Sequence, residues 1–310
     1  MDENRLITPL DVSSARQVVQ TALPDLEISE IEYLGGGDHS VFAVNNELLF
    51  RFPKNANETS TERFTFENRL FDLIRPRVNP HEIPVPLFDV NTEDIPARHV
   101  RCYRMFFGQR ISQLSMNDRR TVAELLGDFL TRLHSIEKTD CIEIGLRSIS
   151  WQDIVNNVRG SFEKIKTRLL PLLKPDEREW MINQYELFLS DAVTMKVPVV
   201  LIHGDLGDEN VLLPKKLDHL QVIDFDEVGF YDPAADFCLW WGEFGDDFLR
   251  DIVNRYDLPI GDDLMARVRF YYNRIPVIYF ELANTLQNDR FFQYGHELLS
   301  ARMNATRLSD

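Results

Sequence analysis

The sequence predicts an α+β protein of two lobes, in which a small antiparallel β-sheet lobe precedes a larger, mainly helical lobe. Its 310 residues are more than one compact core usually supports. Residues 31–52 alternate apolar and polar side chains, as half-buried strands do, whereas from residue 117 onward apolar residues recur at helical spacing. We therefore expect an N-terminal lobe at 1–107 and a C-terminal lobe at 108–310, with ligands bound in a cleft between them.

The first lobe is predicted to consist of a helix, a strand and hairpin, a second helix and two more strands. A helix at 11–23 ends before Pro24, and the strand region after it contains the turn signals GlyGlyGly and AsnAsn. Two strands are expected at 85–90 and 99–107, followed by a hinge near 107–115. The second helix is predicted from a Ser/Thr cap and from apolar residues at roughly helical spacing: Phe64, Phe66, Leu70, Phe71 and Ile74.

The second lobe is predicted to be mostly helical. Its first helix, after Asn117, carries apolar residues three and four positions apart: Val122, Leu125, Leu126, Phe129, Leu130 and Leu133. Five more helices are expected, at 151–170, 176–194, 246–256, 262–286 and 289–305. We expect them to surround short strands that carry a polar segment at 201–236.

The composition argues against several classes of protein. A formal net charge of −16 disfavours nucleic acid as a partner and fits attraction of cationic ligands, although acidity that serves solubility alone is the alternative. Cys102, Cys141 and Cys238 show no CxxC spacing, so neither a zinc site nor a disulfide framework is indicated. No apolar run is long enough to span a membrane, and no export signal is recognisable. We therefore expect a cytoplasmic monomer that binds neither nucleic acid nor membranes.

One segment, LIHGDLGDENVLL, carries polar residues at the spacing of a phosphoryl-transfer site. An apolar strand leads into a glycine turn and a second strand begins at Val211, so the loop between them is held at both ends. Asp205 is placed to orient a substrate hydroxyl and to accept its proton. Asn210, and Asp224 at the end of LeuGlnValIleAsp, offer the oxygen ligands that magnesium prefers. We predict Asp205 as the catalytic residue and Asn210 and Asp224 as magnesium ligands.

A glycine-rich hairpin and a nearby cation are predicted to contact nucleotide phosphates. LeuGlyGlyGlyAspHisSer lies between two strands, so it fits neither a P-loop nor a dinucleotide fingerprint. Its backbone NH groups around Gly36 and the Ser40 hydroxyl can instead face phosphates, although a plain glycine turn is the alternative. The third strand supplies Arg51, with Lys54 as a second cation, and the next helix supplies Glu67 as the acidic partner. An ordinary surface ion pair is the alternative for Arg51 and Glu67.

These motifs resemble the aminoglycoside phosphotransferase family, which has a protein-kinase-like fold and includes related macrolide and choline kinases. HisGlyAspLeuGlyAspGluAsn is similar to its catalytic loop, ValIleAspPhe to its metal-binding strand and AspProAlaAlaAspPhe to the element that follows. LeuGlyGlyGlyAspHisSer with PheArgPheProLys is most similar to the aminoglycoside 2-double-prime phosphotransferase branch, and LeuHisSerIle recurs at a matching helix end. The resemblance runs from about residue 31 to the final helices.

The resemblance implies a bilobal protein-kinase-like fold and a role for each matching residue. Asp205 matches the catalytic aspartate, and Asn210 and Asp224 match the magnesium ligands. Tyr103 and Met105 lie in the segment that matches the hinge, where backbone groups meet the nucleobase. The implied cofactors are Mg²⁺ and a nucleoside triphosphate, ATP or GTP.

The acceptor is expected to be held by acidic residues that follow the catalytic segment. In the family, variable helices beyond Asp236 bind acceptors, and here TrpTrpGlyGluPheGlyAspAsp combines carboxylates with aromatic surface, which suits a polycationic sugar. The alternative is an acidic loop between helices that its Trp residues anchor in the core. Arg274 and the apolar stretch at 275–280 suit a cation less well, so a macrolide-like or unknown hydroxyl acceptor stays open. The predicted acceptor contacts are Asp205, Glu209, Glu243, Asp246 and Asp247.

The sequence therefore predicts a magnesium-dependent kinase that transfers the γ-phosphate of ATP or GTP to a hydroxyl of an aminoglycoside antibiotic, which would confer resistance. The link from Asp224 to Asp232 is too short for a protein-kinase activation segment, so a protein substrate is not expected. A macrolide or a cellular metabolite such as an amino alcohol is the alternative acceptor. Arg51 stands where most family members have lysine, which leaves a non-catalytic nucleotide-binding pseudokinase as a further alternative.

Overall fold

The computed structural model describes residues 10–36, 39–53, 60–91 and 99–307, and these fall into two compact units. Unit 1 lies within Met1–Gln113 and Val211–Ile223, and unit 2 lies within Leu114–Asn210 and Asp224–Asp310. Unit 1 contains a five-stranded antiparallel sheet, whereas unit 2 is mainly helical. The predicted α+β class is confirmed, and the lobe boundary at 107–108 stays a prediction.

The sheet of unit 1 is formed by the strands predicted for the first lobe. They are β1 Ile31–Gly35, β2 His39–Val44, β3 Leu48–Pro53, β4 Pro86–Asn91 and β5 His99–Arg104. The strand order is β1-β2-β3-β5-β4, and every neighbouring pair is antiparallel. The last strand ends at Arg104 rather than at the predicted residue 107.

The two faces of this sheet carry different residues because side chains alternate along each strand. One face packs with helix α1 (Val12–Ala22) in an apolar core. Its buried members are Ala15, Val18, Val19, Phe42, Val44, Phe50, Phe52, Val100 and Cys102. Arg51 on β3 and Arg101 and Tyr103 on β5 occupy the intervening positions and therefore point to the opposite face. There they meet Glu67 of helix α2 (Ser60–Ile74).

Unit 2 is built from long helices and one short two-stranded sheet. The helices are α3 Met116–His134, α4 Lys138–Glu143, α5 Trp151–Arg168, α6 Pro175–Ala192, α7 Ala234–Arg255, α8 Leu264–Leu286 and α9 Asp289–Arg307. Strand β6 (Val200–Ile202) pairs with strand β9 (Gly229–Tyr231). In unit 1, strand β7 (Val211–Leu212) pairs with strand β8 (Gln221–Val222). The polar segment predicted to carry the chemistry runs through these short strands.

The predicted helices agree with the structure except around the tryptophan pair. Those at 151–170, 176–194, 262–286 and 289–305 are confirmed with small shifts of their ends. Helix α7 begins at Ala234 and is interrupted at Gly245, where φ is 84° and ψ is −174°, so the helix predicted at 246–256 is confirmed, whereas the helical stretch before Gly245 is not predicted. The alternative of an acidic loop at 240–247 is wrong for the same reason. Helix α7 packs against both α3 and α8.

Two further sequence expectations can be compared with the structure. Within the described ranges, no helix combines the length and the apolar composition needed to cross a lipid bilayer. All three cysteines are buried, and none of them forms a disulfide in the structure.

Candidate active site

The 203–210 loop, which connects β6 to β7, is held at both ends. The last two residues of β6 and the first residue of β7 are buried. Gly204 has a φ of +89°, and a Cβ built there would lie 2.4 Å from the carbonyl oxygen of Glu227. Only glycine fits this turn, and the next residue, Asp205, is exposed to solvent.

Asp205 and Asn210 are in contact across the loop. The Asn210 Nδ2 donates to the backbone oxygen of Asp205 at 2.8 Å and to its Oδ2 at 3.0 Å. A single 3₁₀ turn at Asp208–Asn210 brings the two side chains together. Because the amide nitrogen faces Asp205, the Oδ1 atom is the group that Asn210 can offer to a cation.

Asp224 lies beyond the end of β8 rather than inside a strand. Strand β8 ends at Val222, and Asp224 has a left-handed backbone conformation, with φ 65° and ψ 64°. In the β7–β8 ladder Val211 is opposite Val222, so Asn210 and Asp224 flank the same end of this hairpin. A left-handed backbone is unfavourable for a residue with a Cβ and is concentrated at functional sites.

Asn210 and Asp224 fit one kind of metal ion. Their amide and carboxylate oxygens are hard ligands of the type that magnesium binds, usually together with phosphate oxygens and water. Among the residues that the structure describes, no group of three His, Cys, Asp or Glu side chains forms a metal site by itself. Two oxygen donors fill only part of a magnesium coordination shell, so the remaining ligands would come from phosphate oxygens and water.

The 203–210 loop is anchored by Asp236, a buried carboxylate in the first turn of α7. Its oxygens accept hydrogen bonds from the backbone NH groups of His203 (2.8 Å) and Gly204 (2.9 Å). The His134 Nε2 lies 3.1 Å from the same carboxylate, and its Nδ1 lies 2.9 Å from the Tyr256 hydroxyl. Burial acts to raise the pKa of Asp236, but the hydrogen bond and charge of His134 and the loop contacts outweigh it and lower that pKa. Asp236 is therefore an ionised anchor.

The sequence gives no role to Asp236 or His134, although both lie in motifs that it singles out. These motifs are AspProAlaAlaAspPhe and LeuHisSerIle. The two side chains meet only because α3 and α7 pack side by side. The His203 Nδ1 accepts a hydrogen bond from the Asp205 NH at 3.3 Å, and its ring packs on Phe225 at 4.7 Å. These contacts hold the His203 ring within the loop.

Glu243 lies beside the acidic end of the 203–210 loop. It is on α7, two turns after Asp236, and burial together with the charges of Asp208 and Glu209 raises its pKa to about 7. The structure thus brings the predicted residues Glu209 and Glu243 together and adds Asp208, for which the sequence makes no prediction. Close carboxylates of this kind resist full ionisation unless a cation joins them.

Asp246 and Asp247, the other predicted acceptor residues, have partners within α7. Asp246 accepts a hydrogen bond from the Trp241 Nε1 at 2.7 Å. Asp247 forms an exposed ion pair with Arg250 at 2.8 Å. A contact of either residue with an acceptor stays a prediction.

Helices α8 and α9 add a cation and an aromatic ring near these acids. Arg302 stacks on Tyr272, with 3.4 Å between the guanidinium carbon and the ring centroid, and its charge also acts on Glu243. Tyr279 is close enough to Asp205 that its pKa is raised by burial, by a neighbouring tyrosine and by the Asp205 charge. No sequence motif marks these positions, because they depend on how the last two helices pack.

In unit 1, Arg51 and Glu67 meet as predicted. The Arg51 Nη1 lies 3.6 Å from the Glu67 Oε1, and the Arg51 Nη2 lies 3.3 Å from the His39 Nδ1. Glu67 also has two closer partners: the Tyr103 hydroxyl donates to Oε1 at 2.7 Å, and the Arg101 Nη1 lies 2.7 Å from Oε2. The sequence predicts the Arg51–Glu67 pair but not Arg101, since nothing in a short strand marks an arginine as buried.

The remaining predicted nucleotide contacts lie on three separate elements of unit 1. Gly36 has a φ of +125°, and a Cβ there would lie 2.2 Å from the His39 carbonyl oxygen. Ser40 is buried on β2, opposite Phe52. The Met105 NH donates to the Glu47 carbonyl at 2.9 Å. Their nucleotide contacts stay predictions, and Lys54 lies outside the described residues, as do the two residues after Gly36.

The fold of this chain is that of solved antibiotic phosphotransferases. The GDP complex of wild-type aminoglycoside 2'-phosphotransferase-IIIa matches it with a TM-score of 0.83 over 96% of this chain and 100% of that chain, at 20% identity. The GDP and kanamycin complex of APH(2")-IIia matches with a TM-score of 0.80 over 94% and 98%, at 22% identity. A macrolide 2'-phosphotransferase from Brachybacterium faecium matches with a TM-score of 0.73 over 92% and 97%, at 17% identity.

The chain belongs to the phosphotransferase enzyme family, whose model matches residues 30–271. Viomycin phosphotransferase of Streptomyces vinaceus is 36% identical over 107 residues, which are 33% of each chain. The uncharacterized protein YcbJ of Bacillus subtilis (strain 168) is 22% identical over 154 residues, 50% of this chain and 48% of that protein. The matches thus span between a third and a half of these curated relatives. The resemblance seen in the sequence motifs is confirmed.

Proposed function

We propose that this chain is a small-molecule kinase that transfers the γ-phosphate of ATP or GTP to a hydroxyl of an aminoglycoside. One observation carries the proposal: Asp205 and Asn210 are in contact on a loop whose backbone is fixed by the buried Asp236. Phosphoryl transfer depends on positioned groups more than on strong bases, because its transition state is loose. A carboxylate held in this manner is suited to orient a hydroxyl nucleophile.

Each residue of the set has a distinct role in this proposal. Asp205 orients the acceptor hydroxyl and accepts its proton as the phosphoryl group is transferred. The Asn210 Oδ1 and the Asp224 carboxylate hold magnesium, which when bound neutralises charge on the nucleotide phosphates. In unit 1, Arg51 contacts the α- and β-phosphates with Glu67 as its partner. The glycine hairpin and the end of β5 are assigned to the phosphates and the base.

The acidic cluster of Asp208, Glu209 and Glu243 supports a cationic acceptor. An ammonium group placed among these carboxylates relieves their mutual repulsion, which is reflected in the raised pKa of Glu243. Solved relatives of the same fold include complexes named with kanamycin and gentamicin. Aminoglycosides are therefore the first acceptors to test.

A different antibiotic is the second candidate acceptor. The relative at 36% identity is named viomycin phosphotransferase, and two solved structures of similar fold are macrolide 2'-phosphotransferases. Arg302, whose charge acts on Glu243, reduces the negative potential of the acceptor region. This favours an acceptor that carries fewer amines than an aminoglycoside.

An acceptor screen separates these candidates. Purified protein with magnesium and either ATP or GTP is incubated with kanamycin, gentamicin, viomycin or a macrolide. Nucleoside diphosphate release and mass spectrometry of the acceptor are then measured. We expect a singly phosphorylated aminoglycoside. Phosphate on viomycin or the macrolide alone would support the second candidate, and nucleotide binding without any phosphorylated product would favour the non-catalytic alternative.

Replacing Asp205 tests the catalytic assignment. We expect Asp205→Asn to lower kcat by about 10²- to 10⁴-fold, since the amide cannot accept the hydroxyl proton. Nucleotide affinity should stay within about threefold of wild type, because the assigned phosphate contacts are elsewhere. Asp218→Asn, at an exposed carboxylate outside the 203–210 loop, is the matched control. Full turnover by Asp205→Asn would contradict the assignment.

A further inference from the structure

Glu67 of α2 and three charged side chains on neighbouring strands together form one row of charges. On one face of the sheet, Arg51 on β3 is opposite Arg101 on β5, and Arg101 is opposite Asp89 on β4. Both arginines reach Glu67, the Arg101 Nη1 at 2.7 Å and the Arg51 Nη1 at 3.6 Å. The row contains two positive and two negative side chains. If the site consisted only of a cation that binds phosphate and one acidic partner, two of these four side chains would be enough.

Arg101 is the most firmly held member of this row. Its side chain is completely buried. Its Nε and Nη2 bind the two oxygens of Asp89 at 2.7 and 2.8 Å, which is the two-pronged geometry that arginine forms best. The Nη2 also donates to the Phe64 carbonyl at 3.2 Å, and the guanidinium lies 4.1 Å from the centroid of the Phe64 ring. Arg101 is therefore fixed by groups other than Glu67.

Glu67 is in turn fixed by groups other than Arg51. Arg101 binds its Oε2, and the Tyr103 hydroxyl binds its Oε1 at 2.7 Å. Burial and the charge of Glu67 raise the pKa of Tyr103, so that hydroxyl remains a protonated donor. The Arg51 contact is the longest of the three. The orientation and charge of Glu67 are therefore maintained whether or not Arg51 stays beside it.

We propose that Arg101 is a positioning residue of the nucleotide site, which fixes Glu67 so that Glu67 orients Arg51 towards the phosphates. This inference rests on the proposed assignment of Arg51 to those phosphates. Arg51 alone, at 3.6 Å, would leave this largely buried carboxylate loosely paired, and a poorly paired buried charge is costly. Arg101 removes the cost, and Asp89 balances the charge of Arg101.

The test compares ligands with and without phosphates. Wild type and Arg101→Lys are titrated by calorimetry in the presence of magnesium with ADP, GDP, adenosine and guanosine. Lysine keeps the positive charge but lacks the separate guanidinium nitrogens that bind Asp89 and Glu67 at the same time. For the nucleotide that wild type binds, we expect the diphosphate Kd to rise about tenfold, a typical effect of a supporting residue, while the nucleoside Kd is unchanged. An equal loss for both ligands, or a loss for neither, would overturn the proposal.

A double-mutant cycle tests whether Arg101 acts through Glu67. The diphosphate Kd is measured for Arg101→Lys, Glu67→Gln and the double variant. If Arg101 acts by holding Glu67, the two losses are not additive, and Arg101→Lys adds less than about twofold in the Glu67→Gln background. Additive losses would overturn the proposal. Arg75→Lys, at an exposed arginine that pairs with Asp72 at 3.4 Å, is the matched control and should bind as wild type does.

Two further measurements distinguish a variant that does not fold, an inference that is wrong and a proposed function that is wrong. Thermal unfolding shows whether Arg101→Lys folds; if it does not, Asp89→Asn replaces it, because losing the two-bond partner also frees the Arg101 guanidinium to rotate. The same selective loss of diphosphate affinity is expected, and unchanged affinity would overturn the proposal. A wild-type protein that binds neither diphosphate contradicts the proposed function itself, and this inference with it. A wild type that binds, together with an unaffected Arg101→Lys, contradicts this inference alone.

Discussion

The buried carboxylate of Asp236 fixes the positions of the 203–210 loop and of two helices. It is the common acceptor for two backbone NH groups of the 203–210 loop and for the His134 ring. A buried carboxylate is stable only when its oxygens are satisfied, so the loop, α3 and α7 are held to one arrangement. The direction in which Asp205 points thus depends on a carboxylate that is buried in the core.

Replacing Asp236 should affect both stability and turnover. We expect Asp236→Asn to lower the free energy of unfolding by about 3–5 kcal/mol, because an amide cannot accept all of these hydrogen bonds. It should also lower kcat, since Gly204 and Asp205 lose their anchor. Urea unfolding and kcat at low temperature measure the two effects. Asp128→Asn, which breaks the exposed Asp128–Arg255 pair, should cost at most about 1 kcal/mol. Equal effects of the two substitutions would contradict the anchoring role.

Glu243 should make acceptor binding depend on pH. Because its pKa is raised to about 7, it is largely protonated at pH 6 and ionised at pH 8. A cationic acceptor binds the ionised form, so acceptor affinity should rise as the pH increases through 7, by up to about tenfold per pH unit below the pKa. The acceptor KM is measured at pH 6, 7 and 8 at constant ionic strength. Glu243→Gln should remove the dependence, whereas Glu163→Gln, on the exposed surface of α5, should keep it.

At the scale of secondary-structure elements, connections between helices are held by buried polar groups. Arg267, on α8, is completely buried and pairs with the buried Asp232, the residue that precedes Pro233 at the start of α7. Its Nη2 also donates to the Ile260 carbonyl at 2.7 Å, and its Nε donates to the Asp262 carbonyl at 2.9 Å. The Arg267 side chain thus joins the residue before α7 to the connection between α7 and α8.

Removing this arginine should destabilise unit 2 without direct damage to the chemistry. We expect Arg267→Met to lower the free energy of unfolding by about 3–5 kcal/mol, since Asp232 becomes an unpaired buried charge. The exposed Arg250–Asp247 pair offers the control, because Arg250→Met should cost under about 1 kcal/mol. Calorimetric melting of both variants measures the difference. A melting temperature of Arg267→Met equal to that of the control would contradict the structural role.

The elements also show where prediction from sequence succeeds and where it fails. Strand alternation and helical spacing are local, so they identify the sheet of unit 1 and most helices of unit 2 correctly. The first half of α7 is missed because Gly242 lies within it and Gly245 ends it, and glycine weakens the helical signal of a segment. In the candidate site, the order of Asp205, Asn210 and Asp224 is readable because it lies in one segment. The roles of Arg101 and His134 are not predicted from the sequence, because their partners are remote in the chain and meet them only after folding.

At the scale of the whole molecule, the formal net charge of −16 distinguishes the two proposed substrates. A cationic acceptor is attracted by the negative field of the protein. A nucleoside triphosphate is repelled by this field until it reaches the cations of the nucleotide site. Salt screens both interactions, with a Debye length of about 10 Å at 0.1 M. The two substrates should therefore respond to salt in opposite directions.

A salt titration tests this prediction. Raising the salt concentration at fixed magnesium should increase the KM for an aminoglycoside acceptor several-fold, with kcat nearly unchanged, because only the long-range attraction is lost. The nucleotide KM, measured in the same series, is the internal control and should stay constant or fall. An acceptor KM that does not respond to salt would favour an acceptor with little charge, in agreement with the second candidate.

Helix α7 carries both the carboxylate that anchors the 203–210 loop and, two turns later, Glu243. A helix advances about 1.5 Å and turns about 100° with each residue, so the direction from Glu243 towards Asp205 is fixed by the backbone of one rigid element. For an acceptor amine held at Glu243, as the proposed function assigns, this fixed direction limits which hydroxyls can reach Asp205. We therefore expect the spacing of Asp236 and Glu243 on α7 to favour phosphorylation of one hydroxyl over the others.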